Sequence, residues 1–217
     1  EELIAFLSSA EPRNGTIASI EKKKETKNPP LLYNLAELQN DCSRMFKISP
    51  DQTLKAVQEL YEKKLVTYPR TDARVLSTAV AKEIHKNIGG LQNFGPAAEY
   101  AREVLASGSY KTIAKTRYVN DKQITDHYAI VPTGQGLGAL RSLSELNSKI
   151  YQVIVRRFLS IFYPPAIYQK YTVDIVTQNE HFFAGFKVLR EQGYLKVAEV
   201  PGQGRKKNTG APDAGSD

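Results

Sequence analysis

The chain has 217 residues, of which 41% are hydrophobic, and a net charge of +7. It is long enough for one large domain or two modest ones and can bury a core. The lone Cys42 excludes an internal disulfide and any metal site built on several thiolates, and it suits a reducing compartment. No run approaches the ~18 apolar residues of a membrane span, and Glu1-Glu2 begins nothing resembling a signal peptide; a cytoplasmic location without a membrane partner is expected. The basic excess is spread along the chain and favours a polyanionic partner such as nucleic acid. The single methionine is Met45, so the chain reads as part of something longer.

Residues 15–27, GTIASIEKKKETK, predict a strand running into a basic connector, and Asn28-Pro29-Pro30 bars a helix from crossing that point. From Asn34 onward, Leu35, Leu38, Cys42 and Met45 recur at helical spacing as far as Phe46. Ser49-Pro50-Asp51-Gln52 is a helix start: serine as N-cap, proline at the first position and glutamine placed to close a capping box. Leu54, Val57, Tyr61 and Leu65 form the expected apolar face of that helix. The pair of helices with a trailing extended segment is similar in topology to a helix-turn-helix.

Ser77 caps a further helix ending at Gly89-Gly90, and Gly95-Pro96 opens one that Gly108 closes. Residues 110–133 read as mixed and loop-like, with a strand possible at their start. A long amphipathic helix runs from Ser144 to Phe162, stopped by Pro164-Pro165. YQKYTVDIVTQ and HFFAGFKVLR then alternate as paired strands around Asn179-Glu180. The expected fold class is α+β, with a mainly helical domain (29–157) inserted into a β-rich domain made from residues 1–28 and 158–200. Residues 201–217, rich in Gly, Pro and small polar residues, are expected to form a disordered tail or linker.

LVTYPRTD, residues 65–72, carries the chemistry. Pro69 pushes Tyr68 into an extended conformation, and a two-residue repeat puts Tyr68, Arg70 and Asp72 on one face, with Thr67 and Thr71 on the other. A phenol is a nucleophile for phosphorus, and a guanidinium can hold two nonbridging oxygens as their charge rises. The aspartate is placed to orient the arginine. The plainer reading is an ordinary tyrosine on a strand beside a surface ion pair, since the chain has 12 tyrosines.

A second stretch, KQITDHYAIVPTG at 122–134, changes that balance. With LVTYPRTDARVL and NPPLLYNLAELQND, it closely resembles the signature stretches of type IA DNA topoisomerases, in particular the bacterial topoisomerase III branch, and the resemblance runs in order across residues 15–200. It implies that Tyr68 is the nucleophile, Arg70 a phosphate-binding residue and His127 a partner near the scissile phosphate. Thr71, Asp72 and Arg74 match as DNA-binding positions. Tyr128 stands where relatives usually have histidine or glutamate and is assigned no catalytic role; His85 and His181 read as structural.

The resemblance further implies single-stranded DNA as substrate, a 5′-phosphotyrosine intermediate, strand passage and resealing, with the β-rich domain as arch and hinge. It also implies Mg2+, held by the acidic cluster of a Toprim domain. No Asp-x-Asp-x-Glu pattern occurs in these residues, so no metal site is expected here. The chain reads as a central fragment, inactive alone and partnered by the rest of its own polypeptide in a bacterial nucleoid. Three other readings compete with it. A winged-helix DNA-binding module would use residues 35–70, but the helix from Pro50 mixes Lys55, Lys63 and Lys64 with Glu59 and Glu62. A tyrosine recombinase would place a His-x-x-Arg element before its tyrosine, whereas here Tyr68 precedes His127 and residue 130 is Ile. A structural interaction domain would bury Tyr68 without an adjoining cleft.

Overall fold

The computed structural model describes residues 15–177 and 180–198; the expected tail at 201–217 lies outside the described residues. The fold is mixed α+β. Strand β1 (Thr16–Lys27) precedes helices α1 (Leu35–Phe46), α2 (Pro50–Glu62), α3 (Thr78–Leu91), α4 (Ala98–Ser107) and α5 (Glu145–Ser160). Strands β2 (Ala166–Thr177) and β3 (Glu180–Glu191) and the short helix α6 (Leu195–Ala198) follow.

Local signals set the helix ends. Asn34 caps α1 by accepting from the Glu37 amide, and Ser49 and Gln52 form the reciprocal capping box of α2 with proline in the first turn. Ser77 and Ser144 cap α3 and α5 by accepting from the Val80 and Asn147 amides. Gly108, at φ 68°, closes α4 in the left-handed conformation that a residue without Cβ adopts freely.

The helices enclose one core, including Leu38 and Cys42 of α1, Val57 and Leu60 of α2, Ile84 and Ile88 of α3, and Ile150, Ile154 and Phe158 of α5. Each such fully buried side chain contributes about 1.5–3 kcal/mol relative to exposure. A polar bolt crosses the packing of α5 on α1. The Arg157 guanidinium pairs with Asp41 (2.8 Å), donates to the Leu31 carbonyl (3.0 Å) and lies over the Tyr33 ring (4.1 Å). Tyr33 donates to the same carboxylate (2.6 Å), and burial holds its phenol well above the ordinary range. The charges stay paired, which removes the cost of taking them out of water singly.

The sheet has the order β1-β2-β3, antiparallel throughout. Its pairing groups Ile17 with Ile175 and Phe182, Ile20 with Val173, and Lys22 with Tyr171 and Phe186 on one face. Ile17, Ile20, Phe182 and Phe186 remain exposed among the described residues. The sheet meets the helices where Lys27 pairs with Ala166 and the Tyr194 amide donates to the Pro164 carbonyl (2.8 Å). Among the described residues no helix is long and apolar enough to cross a membrane.

Four expectations are corrected. The basic stretch after Ile20 continues as strand, because Lys22 to Lys27 each pair with β2. The start of residues 110–133 holds no strand; Ser109–Lys115 is a 3-10 helix, with Ile113 as its buried anchor. In α2 the buried face is Thr53, Ala56, Val57 and Leu60, which leaves Leu54 half-buried and Tyr61 39% exposed. The helix packs on both α1 and α5, and a face centred between Val57 and Leu60 turns Tyr61 outward. Helix α3 runs through Gly89-Gly90 to Leu91; Gly90 is needed because Gly134 backbone occupies the space a Cβ would take. The last long helix ends at Ser160, close to the expected end at Phe162.

Candidate active site

The chain leaves α2 through a left-handed residue. The Leu65 amide donates to the Leu60 carbonyl (2.9 Å) and the Lys64 amide to the Tyr61 carbonyl (2.8 Å), with Lys64 at φ 62°. This is a Schellman ending with lysine at the position where glycine is the default. It redirects the chain into the extended segment 65–76, which alternates as predicted: Arg70 and Asp72 are exposed, whereas Thr71 and Ala73 are buried.

Two other segments hold this one in place. The Thr67 hydroxyl donates to the Ala129 carbonyl (3.0 Å) and accepts from the Val131 amide (3.0 Å), while the Thr67 amide donates to the Val131 carbonyl (3.0 Å). Thr133 donates through its amide to the Leu65 carbonyl (3.0 Å) and through its hydroxyl to the Lys64 carbonyl (2.5 Å). On the other flank the Leu32 amide donates to the Arg74 carbonyl (3.2 Å) and the Asn34 side-chain amide to the Asp72 carbonyl (3.1 Å). Among the described residues, β pairing here is limited to single bridges, antiparallel between Val66 and Pro132 and between Tyr33 and Ile130, and parallel between Leu76 and Val119. Side-chain hydroxyls thus do part of the work of a ladder.

Tyr68 and His127 are brought together from these two segments, their ring centroids 4.3 Å apart and tilted by 42°. Tyr61 meets the Tyr68 ring edge-to-face, at 5.5 Å and 80°, a favoured aromatic geometry. The half-buried Tyr68 lines an open cleft of about 530 Å3, together with Tyr61, Lys64, His127, Tyr128 and Gln135; Glu62, Val66, Thr67 and Thr133 complete the lining. Burial raises the Tyr128 phenol above its ordinary pKa.

The other expected residues, Arg70, Thr71, Asp72 and Arg74, do not line the cleft. Arg70 is exposed, does not line the cleft and makes no ion pair or hydrogen bond among the described residues. In particular it is not paired with Asp72; both face water, where an exposed ion pair gains little. Arg74 is engaged structurally, donating to the Leu32 carbonyl (3.2 Å) and approaching Glu37 (3.3 Å). Thr71 is turned inward: its hydroxyl donates to the His127 carbonyl (2.8 Å) and accepts from the Ala73 amide (3.1 Å). Its visible task is to hold the His127 backbone. His85 and His181 lie on exposed positions away from the cleft, His181 hydrogen-bonded to Asp174 (3.0 Å). Among the described residues no group of three or more His, Cys, Asp or Glu is arranged to hold a metal ion.

Tyr61, Lys64 and Gln135 were not singled out as site residues from the sequence. Tyr61 lies in the last turn of α2 and Lys64 two residues past its end, so nearness in the chain was the available signal.

A sequence profile described as DNA topoisomerase matches residues 1–215. DNA topoisomerase 3 of Bacillus subtilis (strain 168) is 35% identical over 198 residues, which is 90% of this chain and 26% of that protein. DNA topoisomerase 3 of Bacillus licheniformis is 38% identical over 182 residues, 83% of this chain and 24% of the relative. The chain therefore spans about a quarter of the length of these curated relatives. Full-length topoisomerase I from Thermotoga maritima matches in fold with a TM-score of 0.62 at 21% identity, over 92% of this chain and 32% of that one. The profile match over nearly the whole length, with the tyrosine and histidine motifs meeting at one cleft, assigns this chain to the type IA DNA topoisomerase family.

Proposed function

We propose that this chain is the part of a type IA DNA topoisomerase that carries the strand-cleaving nucleophile, and that Tyr68 is that nucleophile. The observation that carries the reading is the Tyr68 ring held against His127 at the wall of an open cleft. The Tyr68 oxygen forms a bond to phosphorus as the bond from phosphorus to the 3′-oxygen breaks. The phenol loses its proton and the 3′-oxygen gains one, leaving a 5′-phosphotyrosine and a free 3′-hydroxyl. Arg70, unpaired among the described residues, is free to hold nonbridging oxygens, and His127 stands beside the phosphate. Asp72 and Arg74 flank the strand path, with Thr71 acting through the His127 backbone.

In this reading single-stranded DNA is the substrate, and the remaining polypeptide, including a Toprim domain, completes the site. Among the described residues no acidic cluster is arranged to hold Mg2+; in this reading the Toprim domain holds it. The helical part, 29–157, moves with the covalently held end, and the sheet of β1, β2 and β3 belongs to a β-rich arch, assigned to segments 1–28 and 158–200, that hinges. A major-groove role for α2 is disfavoured because Lys63 pairs with Glu59 (3.8 Å).

The test is trapping of a covalent complex between the full-length protein and a labelled single strand by rapid denaturation. Tyr68→Phe keeps the ring contacts and removes the attacking oxygen, so no adduct is expected. An adduct persisting in that variant refutes the assignment.

A further inference from the structure

Covalent attachment through a 5′-phosphate leaves one particular nucleotide tethered beside Tyr68: the one on the 3′ side of the break. We infer that the cleft between the end of α2 and residues 127–135 is a subsite for that nucleotide, with Tyr61 stacking its base and Lys64 taking its next phosphate. The inference rests on the proposed role of Tyr68 and adds the position of the substrate.

Three observations carry it. The cleft, about 530 Å3, lies within the roughly 300–1,000 Å3 range of small-ligand sites. Tyr61 contributes an aromatic ring that is 39% exposed and already in contact with the Tyr68 ring; a base stacks on such a surface regardless of its identity. Lys64 lines the same cleft and, unlike its neighbour Lys63, makes no ion pair among the described residues. Its left-handed backbone costs on the order of 1 kcal/mol that glycine would avoid, yet the residue supplies a cation. Strain alone does not mark the site, since Lys47 adopts the same conformation at the end of α1. The coincidence of a cation without an ion pair among the described residues, an exposed tyrosine and the nucleophile in one cleft does.

Lys64 and Arg70 lie on opposite sides of Tyr68 in the chain, so two successive phosphates can be met by different cations. Glu62, whose carboxylate accepts from Gln58 (3.3 Å), and Gln135 also line the cleft and offer hydrogen-bonding groups to base edges.

The test uses the 217-residue chain and a 5′-phosphorylated thymidine trinucleotide, titrated by calorimetry or by NMR shifts at several salt concentrations. Tyr61→Ala is expected to weaken binding about tenfold, the scale of one lost base stack, and Tyr61→Phe to preserve it within twofold. Lys64→Gly removes the cation while easing the backbone; it is expected to weaken binding, lower the salt slope by about 0.7 and leave the melting temperature undiminished. Parent-like affinity in both Tyr61→Ala and Lys64→Gly overturns the subsite, as does absence of trinucleotide binding by the parent chain at millimolar concentration. The outcome is separable from the nucleophile assignment, which stands or falls on the adduct in Tyr68→Phe.

Discussion

Replacing Thr71 by valine separates a residue that touches DNA from one that shapes the site. Valine matches threonine in volume and branching, so packing at this position, 7% exposed, is kept. What is lost is one donor to the His127 carbonyl (2.8 Å) and one acceptor for the Ala73 amide (3.1 Å). A buried group left unpaired costs about 1–3 kcal/mol. The Ala73 amide bears that cost, whereas the carbonyl of the exposed His127 can turn toward water, so a total of about 1–2 kcal/mol is expected. For a chain of this size each kcal/mol lowers the melting temperature by roughly 2–4 °C, giving a fall of about 2–8 °C. Thermal unfolding followed by circular dichroism measures it, with Thr71→Ser, which retains the hydroxyl, as the internal comparison. Loosening of the His127 segment should slow adduct formation in the full-length protein while single-strand affinity changes little. If Thr71→Val melts with the parent but binds single-stranded DNA more weakly, the hydroxyl serves DNA directly and the structural account of it is wrong.

Arg70→Ala should shift stability by less than about 0.5 kcal/mol, as for other surface positions, yet slow adduct formation about 10²–10³-fold; a large drop in melting temperature with normal cleavage would instead reveal a structural role. The adjacent glycines of α3 should respond with opposite signs. Gly89→Ala, with nothing within 4 Å of the new Cβ, should stabilise by about 0.5–1 kcal/mol, whereas Gly90→Ala drives a methyl into the Gly134 backbone and should destabilise by about 1–3 kcal/mol; denaturant titration reads both. Burial pushes the Cys42 thiol up to about 12, so it should resist an aromatic disulfide reagent at pH 8 until the chain is unfolded. Because the folded-state value lies above the unfolded one, the associated stability is present below an unfolded pKa of about 8.5 and is lost as pH rises toward the folded value. Cys42→Ala should flatten that alkaline loss, which melting curves across the range would show.

The features legible in the sequence were those whose causes lie within a few residues of one another. Ser49 and Gln52 close a capping box across three positions, Gly108 ends a helix through its own backbone freedom, and alternation in 166–191 marks paired strands whatever they pack against. The motif around Tyr68 was readable for the same reason: proline next to it enforces extension, and extension puts Arg70 and Asp72 on one face. The rest depended on partners far along the chain. Whether KKKETK was connector or strand was decided by β2, about 140 residues later, which supplies hydrogen bonds to the whole stretch. Tyr61 fitted the apolar periodicity of α2, but simultaneous packing on α1 and α5 rotated the helix and turned that ring to the nucleophile. Thr71 had a motif position but no visible partner until the fold placed the His127 carbonyl, 56 residues away, within 2.8 Å of its hydroxyl. Local sequence specifies backbone conformation through short-range sterics and caps; which side chains converge on a cleft is set by long-range pairing, and only the packed tertiary structure satisfies those pairings together.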